Sequence, residues 1–361
     1  MTSQWTRRRV LAAGAAAALA QSLAAQESHP ALPHPVRVGI LGLDGHYSEV
    51  LEAAKLVPEI RVVAVTAPTE REKQRASSNP ILASAKLYTD YVRMLDAEKL
   101  DVVAICDTNG QRAGSVQACA ERGLAIAAEK PLAISFPDLE AIKRTIAHHH
   151  ARLTMLLPMR FEPHYLAMKS LIASGAIGEP IALGAQKSYK LGPRPDWMKR
   201  RSTYGGTIPY IGIHMIDLMR WSSGREFVET AAFQSNVAFP AIGDMENNTA
   251  LIFRLDNRGT ANLRMDYLRP ETAPTHGDDR LRIAGSKGVI EYQNGHLTLI
   301  TTSEKPREIT DLPHHAPLFA DFVFSLYSHT PHMISLDDIY RVTGIVLRAR
   351  EAADSNRILS L

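Results

Sequence analysis

From Val36 onward, short apolar runs alternate with segments of helical period. Val36-Arg-Val-Gly-Ile-Leu41 reads as a strand, and Tyr47 to Leu56 as the helix that follows it. Ile60 to Val65, Leu87-Tyr88, Asp101 to Cys106, Leu124 to Ala128 and Leu153 to Leu157 read as further strands. Between them lie a helical turn at Tyr91 to Leu95 and helices at Gln111 to Arg122 and Phe136 to His149. Gly123 stops the first of those helices. Near-continuous apolar strands separated by helices predict a parallel, doubly wound α/β sheet over residues 36–157.

The pattern changes over residues 158–361. A helix from Glu162 to Ser174 ends at Gly175. Period-two alternation then marks Pro180–Lys190, Thr230–Asn236, Asn248–Leu255, Thr260–Tyr267, Asp279–Gly285 and Gly288–Tyr292 as strands. Ser286-Lys287-Gly288 and Gln293-Asn294-Gly295 read as hairpin turns. Helices are expected at Ile211–Trp221 and Asp337–Ala353. The expectation is a second α/β domain: an open, largely antiparallel sheet with helices on one face.

The first residues read as a targeting segment. Thr6-Arg7-Arg8-Arg9-Val10-Leu11 matches the twin-arginine export pattern, and the Ala-rich run to about Ala20 is too short to span a bilayer. Small residues at Ser22-Leu23-Ala24 suit cleavage, so residues 1–24 are expected to be a signal peptide and 25–35 a linker. An uncleaved anchor or a chance Ala-rich tail are the alternatives. The expected location is the periplasm or cell exterior, with no stable membrane anchor. The twin-arginine route carries folded proteins, often with a cofactor in place.

Composition narrows the function. The 361-residue chain has 41 Lys+Arg against 38 Asp+Glu. Losing Arg7, Arg8 and Arg9 leaves 38 basic residues, so the mature chain is formally neutral. With no basic excess to release counterions, nucleic-acid binding is not expected. Cys106 and Cys119, the two cysteines, read as buried thiols. No His, Cys or acidic spacing suggests a metal, the His148-His149-His150, His314-His315, His329 and His332 positions included.

Three stretches carry the candidate chemistry. Glu129-Lys130-Pro131 ends a strand at the edge where open α/β sheets bind ligands, and Pro131 turns the chain away. A lysine desolvated there suits proton transfer. Gly39-Ile-Leu-Gly42-Leu43-Asp44-Gly45-His46-Tyr47 joins strand and helix where a dinucleotide fingerprint belongs. Asp44 takes the place of its second glycine, and Ala67 that of the acid that binds ribose. Thr66, Glu70 or Arg71 are the substitutes, Arg71 leaning toward a 2′-phosphate. Finally, Gly205-Gly206 opens a helix on which Tyr210, His214 and Asp217 share a face by helical spacing. Asp217 is placed either to orient the imidazole or to hold the helix against a neighbour.

These stretches, with Arg160-Phe-Glu-Pro163, Ile177-Gly-Glu-Pro180 and Gly285-Ser-Lys-Gly288, resemble the Gfo/Idh/MocA oxidoreductases across nearly all of the mature chain. The resemblance implies a Rossmann domain, then an α/β domain whose open sheet serves homo-oligomer formation. It implies hydride transfer between NAD or NADP and a sugar or cyclitol. Lys130 and His214 match catalytic positions of that family, and Tyr210, which stands where many members have Asp, is the third catalytic candidate, tuning or relaying the proton. The cofactor is expected at Gly39, Gly42, Leu43, Asp44, Gly45, His46, Thr66, Thr108, Asn109, Glu129 and Lys130. A carbohydrate is expected at Arg160, Lys187, Tyr189, Trp197 and Asp217, with Tyr204 a further pocket candidate. Two alternatives stay open: a non-redox sugar- or partner-binding protein on the same scaffold, and a redox-neutral NAD-dependent glycosidase or lyase.

Overall fold

The structure, a computed structural model, describes residues 31–361. The expected export signal and the first part of the linker lie outside the described residues.

The N-terminal sheet has six parallel strands: β1 Val36–Leu41, β2 Ile60–Thr66, β3 Lys86–Tyr88, β4 Val102–Ile105, β5 Ala125–Glu129 and β6 Leu153–Leu156. Their order, β3-β2-β1-β4-β5-β6, reverses direction next to β1, the doubly wound topology. β1, β4 and β5 are almost wholly buried, as expected for strands covered by helices on both faces. Helices Glu70–Ser78 and Pro80–Ala83 were not foreseen. The first is only thinly apolar, and a Thr69–Glu72 capping box holds its start.

The second sheet has nine strands: β7 Pro180–Tyr189, β8 Phe227–Ser235, β9 Asn248–Leu255, β10 Thr260–Asp266, β11 Gly277–Gly285, β12 Gly288–Gln293, β13 His296–Thr301, β14 Arg307–Glu308 and β15 Leu359–Ser360. All its pairings are antiparallel except β7 with β10. Asn294 and Gly295 both have positive φ, 54° and 83°, which suits the tight turn between β12 and β13. The last three strands were missed because two are two-residue pairings and the third alternates weakly.

Helices Ile213–Ser223 and Leu336–Ser355 lie against one face of this sheet. Leu251, Phe253 and Leu255 of β9 point inward and are buried. The other face is open: Ile252 is 60% and Phe233 68% exposed. Helix Leu318–Tyr327, also unforeseen, packs back on the first domain. Among the described residues, no helix is long and apolar enough to cross a membrane.

Candidate active site

The glycine turn after β1 is built tightly. Gly42 has φ +73°, and a Cβ there would lie 2.7 Å from the Cys106 carbonyl oxygen. Its N–H donates to Thr66 Oγ1 at 2.8 Å, so Thr66 supports the loop from beneath. Gly45 has φ +68°, and a Cβ there would meet the Glu129 carboxyl carbon at 2.5 Å. The loop delivers its helix, Ser48–Leu56, with an N-terminus that lacks a side-chain cap. The positive end of a helix suits a pyrophosphate. Residues present therefore fit a nicotinamide dinucleotide: the turn and helix start for the phosphates, and the β5 end for the nicotinamide.

Asp44 is the discordant residue. Its backbone N–H is spent on the Cys106 carbonyl. Its carboxylate accepts from Trp197 Nε1 at 3.2 Å and lies 3.7 Å from Arg75 Nη1. Burial, then Glu72, raises its pKa. Trp197 thus stands on the glycine loop, with its ring edge-on to that of Tyr210. Several other residues expected at the cofactor make contacts within the protein. Gly39 lies within β1, where a Cβ would clash with Leu100 at 2.8 Å, and Leu43 is fully buried. Asn109 donates to the Tyr204 carbonyl and accepts from Arg112, so both its polar ends are used within the protein. Thr108 donates to Gln111 at 3.1 Å.

At the end of β5 the chemistry converges. Lys130 is 4% exposed; its Nζ donates to the Tyr210 carbonyl at 2.8 Å and sits 3.7 Å from the Tyr210 ring centre. Burial pushes its pKa down to about 8 against the pull of Glu129, helped by Arg112, Lys187 and Arg194. Burial works against the Glu129 charge too, but His46, Lys130 and Arg112 hold it below the usual carboxylate value. Both Glu129 oxygens lie 2.9 Å from His46 Nδ1, and one accepts the His46 backbone N–H. The His46 ring packs edge-on to His214, with centroids 5.3 Å apart.

His214 is 5% exposed, and its Nδ1 has no hydrogen-bond partner. Burial, with Lys130, Lys187 and His46 nearby, drives its pKa well below the ordinary histidine value. It is a neutral imidazole at physiological pH. The chain just before it, Ile208–Gly212, is a π-helix rather than the start of a regular helix. Such bulges recur at functional sites, and this one interrupts the expected i, i+4 alignment of Tyr210 with His214. Burial raises the pKa of the Tyr210 phenol, whose ring lies against Lys130 Nζ.

A cavity of about 580 Å³ opens beside His214 and His46, with Lys187, Tyr189, Asp279 and Glu162 on its walls. Lys187 donates to Asp279 Oδ2 at 2.6 Å; burial opposes its charge, but Tyr189 and Asp279 keep it protonated. Lys187 and Tyr189 are where a substrate pocket was expected. Arg160 and Asp217 are not. Arg160 is fully buried, gripping both Asp217 oxygens at 2.7 and 2.6 Å and Asp338 at 3.1 Å. Asp217 holds its helix against this guanidinium and has no bond to His214. Tyr204 is buried too, its hydroxyl 3.2 Å from Tyr267 and from Thr207.

Glu162, Asp279 and His46's pairing with Glu129 were missed. Glu162 caps helix Pro163–Ala173 by position, but its side chain makes no capping bond and faces the cavity. Burial among protein groups pushes its carboxyl up to about 7, against Lys187 and with Asp279 and Glu49. Its signal was the Arg160-Phe-Glu-Pro163 stretch directly after β6. His314 and His315 line the rim of the same cavity, although nothing in their spacing marked them.

The pattern described as an oxidoreductase family with an NAD-binding Rossmann fold matches residues 36–157. The GFO/IDH/MocA C-terminal domain matches residues 165–291. The chain belongs to the Gfo/Idh/MocA oxidoreductase family. A solved structure from Thermotoga maritima is 33% identical, with a TM-score of 0.85, over 90% of this chain and 100% of that one. Inositol 2-dehydrogenase from Rhizobium meliloti is 28% identical over 267 residues, 72% of this chain and 76% of the relative. At 18% identity, an Agrobacterium radiobacter oxidoreductase in complex with NAD+, L-tartaric acid and magnesium shares the fold, with a TM-score of 0.77 over 90% of this chain and 98% of that one. This family member is thus an oxidoreductase with an NAD-binding domain.

Proposed function

We propose that this chain is an exported dehydrogenase of a sugar or cyclitol that keeps its nicotinamide cofactor bound. One observation carries the reading: a buried lysine held near pKa 8 beside a buried, neutral histidine with an unpartnered nitrogen, at the carboxyl edge of a parallel sheet. Relatives named inositol 2-dehydrogenase support a carbinol substrate of this class.

The cofactor supplies the hydride acceptor. His214, neutral and desolvated, takes the proton from the substrate hydroxyl. Lys130 Nζ donates a hydrogen bond to the same oxygen and steadies the alkoxide as it forms. Glu129 keeps that ammonium charged and, through His46, holds the glycine turn beside His214. Lys187, Tyr189 and Asp279 orient neighbouring hydroxyls, and Met159 and Phe161 add apolar wall to the same cavity. Free nicotinamide cofactor is scarce outside the cytoplasm, so export requires that the cofactor be retained and recycled within the site. The open sheet face is the surface through which two copies would associate.

A second reading rests on Glu162. A carboxyl held near pKa 7 is a second proton donor in the same cavity, as a redox-neutral glycosidase or lyase requires for its leaving group. The test is to express the protein with its own signal, purify it gently, denature it and assay for NAD(H) and NADP(H). Stoichiometric cofactor is expected, and Lys130→Ala should abolish turnover. A protein that emerges empty, and that added cofactor does not fill, overturns the reading. Mass spectrometry of products separates net oxidation from cleavage.

A further inference from the structure

Oxidation of a carbinol leaves one proton to be disposed of. The C–H and O–H bonds break and the carbonyl forms; the hydride goes to the oxidised cofactor and the hydroxyl proton to His214. His214 is a poor place for that proton to stay. Its ring is 5% exposed and its Nδ1 has no hydrogen-bond partner. Burial, then Lys130 and Lys187, hold its pKa well below the ordinary histidine value, so an imidazolium there is costly. A path outward is needed before the next turnover.

His46 lies on that path. It lines the same cavity as His214, and the two rings meet edge-on, with an interplanar angle of 79° and centroids 5.3 Å apart. The side-chain groups that act on the His214 ring are Lys130, Lys187 and His46. The first two are ammonium groups at neutral pH, which leaves the imidazole as the acceptor. Glu162 shares the cavity, but after burial its titration is set by Lys187, Asp279 and Glu49 rather than by His214. Glu49, on the helix that His46 leads into, faces His46 and Glu129, and burial raises its pKa.

The local backbone equips His46 for the task. Gly45 has φ +68° and no Cβ, which lets the Glu129 carboxyl come up against the turn. Both Glu129 oxygens lie 2.9 Å from His46 Nδ1. Glu129 is 2% exposed; against burial, His46, Lys130 and Arg112 hold its pKa down, so it is an anion. An anion there takes the Nδ1 proton, and the neutral ring then presents Nε2 as its acceptor. The same carboxylate balances the charge that a second proton brings. The His46 side chain is 29% exposed, so it spans from the buried pair to solvent. A water between the two rings would have polar walls to hold it, in a cavity of about 580 Å³.

We propose that His46, held by Glu129, is the proton relay of this site: through one water it takes the proton that His214 has received and passes it to solvent. The relay rests on the dehydrogenase reading and adds a residue to it.

The experiment is a single turnover of the purified holoenzyme, its cofactor oxidised, mixed in weak buffer with a panel of inositols and aldoses. Absorbance follows cofactor reduction, and a pH-indicator dye follows proton release. Wild type, His46→Gln and His46→Ala are compared after the bound cofactor of each has been measured. Gln keeps a donor for Glu129 but carries no proton onward, and Ala leaves room for added imidazole. In wild type the two signals should coincide. In both variants proton release should lag reduction by about a hundredfold, the low end for loss of a positioned acid–base group. Imidazole should restore release in His46→Ala. Two signals slowed together, release at the wild-type rate, loss of bound cofactor or absence of rescue would each overturn the relay and leave His46 as a support of the glycine turn. A wild type that reduces its cofactor with no member of the panel would refute the dehydrogenase reading, and the relay with it.

Discussion

Asp217→Ala separates a structural carboxylate from a substrate ligand. In the folded protein Asp217 is 1% exposed, and both its oxygens are occupied by Arg160, which has no solvent exposure. Removing it leaves a buried guanidinium with Asp338 alone, at 3.1 Å on one nitrogen. Breaking a buried ion pair by deleting one partner costs about 3–5 kcal/mol. Asp338 keeps part of the compensation, so the expected loss is about 3 kcal/mol. For a domain of roughly 200 residues that lowers Tm by about 6–12 °C. Differential scanning calorimetry measures the shift, and kcat/KM below the transition measures the chemistry. The double replacement Arg160→Met with Asp217→Leu should recover most of the loss, because a well-packed apolar pair replaces a buried ionic one. Asp338 is not stranded in that variant, since Arg220 Nη1 already binds it at 2.5 Å. An unchanged Tm together with a raised KM would refute this reasoning and return Asp217 to the substrate site.

Three further outcomes are expected. Lys130 is driven from its ordinary 10.5 to about 8 by burial, so the unfolded chain binds more protons between those values. Its destabilisation is full below pH 8 and relieved as pH rises toward 10.5; wild type should gain about 3 kcal/mol on Lys130→Met across that window in urea titrations, and a flat difference would sink the assignment. Asp44→Gly removes a carboxylate from the helix start that receives a pyrophosphate, so calorimetry of the emptied protein should show dinucleotide binding several-fold tighter; weaker binding would mean that the Trp197 bond to Asp44 helps to build the site. Ile252→Glu places a charge in the open sheet face, and sedimentation should show smaller particles than wild type; no change would exclude that face as the interface.

The local pattern of the chain was enough to specify both layers of the fold. Apolar runs such as Val36 to Leu41 and Leu124 to Ala128, alternating with helices, are those of a parallel sheet covered on both faces, and the alternation along β9 and β10 permits one buried face. Lys130 and His214 were legible for the same reason: each sits at a fixed offset from an element that periodicity defines. The sequence also singled out Asp44, because a glycine was due there. Partnerships between distant residues were decided by tertiary structure. Periodicity put Asp217 and His214 on one helical face, but Arg160, 57 residues earlier, claims the carboxylate. Glu162, Asp279 and His315 meet in one cavity from three separate elements, and no spacing along the chain encodes that meeting. Helical and strand periods are properties of consecutive backbone geometry. Which charge neutralises which, and which group is left free for a ligand, depends on burial and proximity that exist only once both sheets have packed.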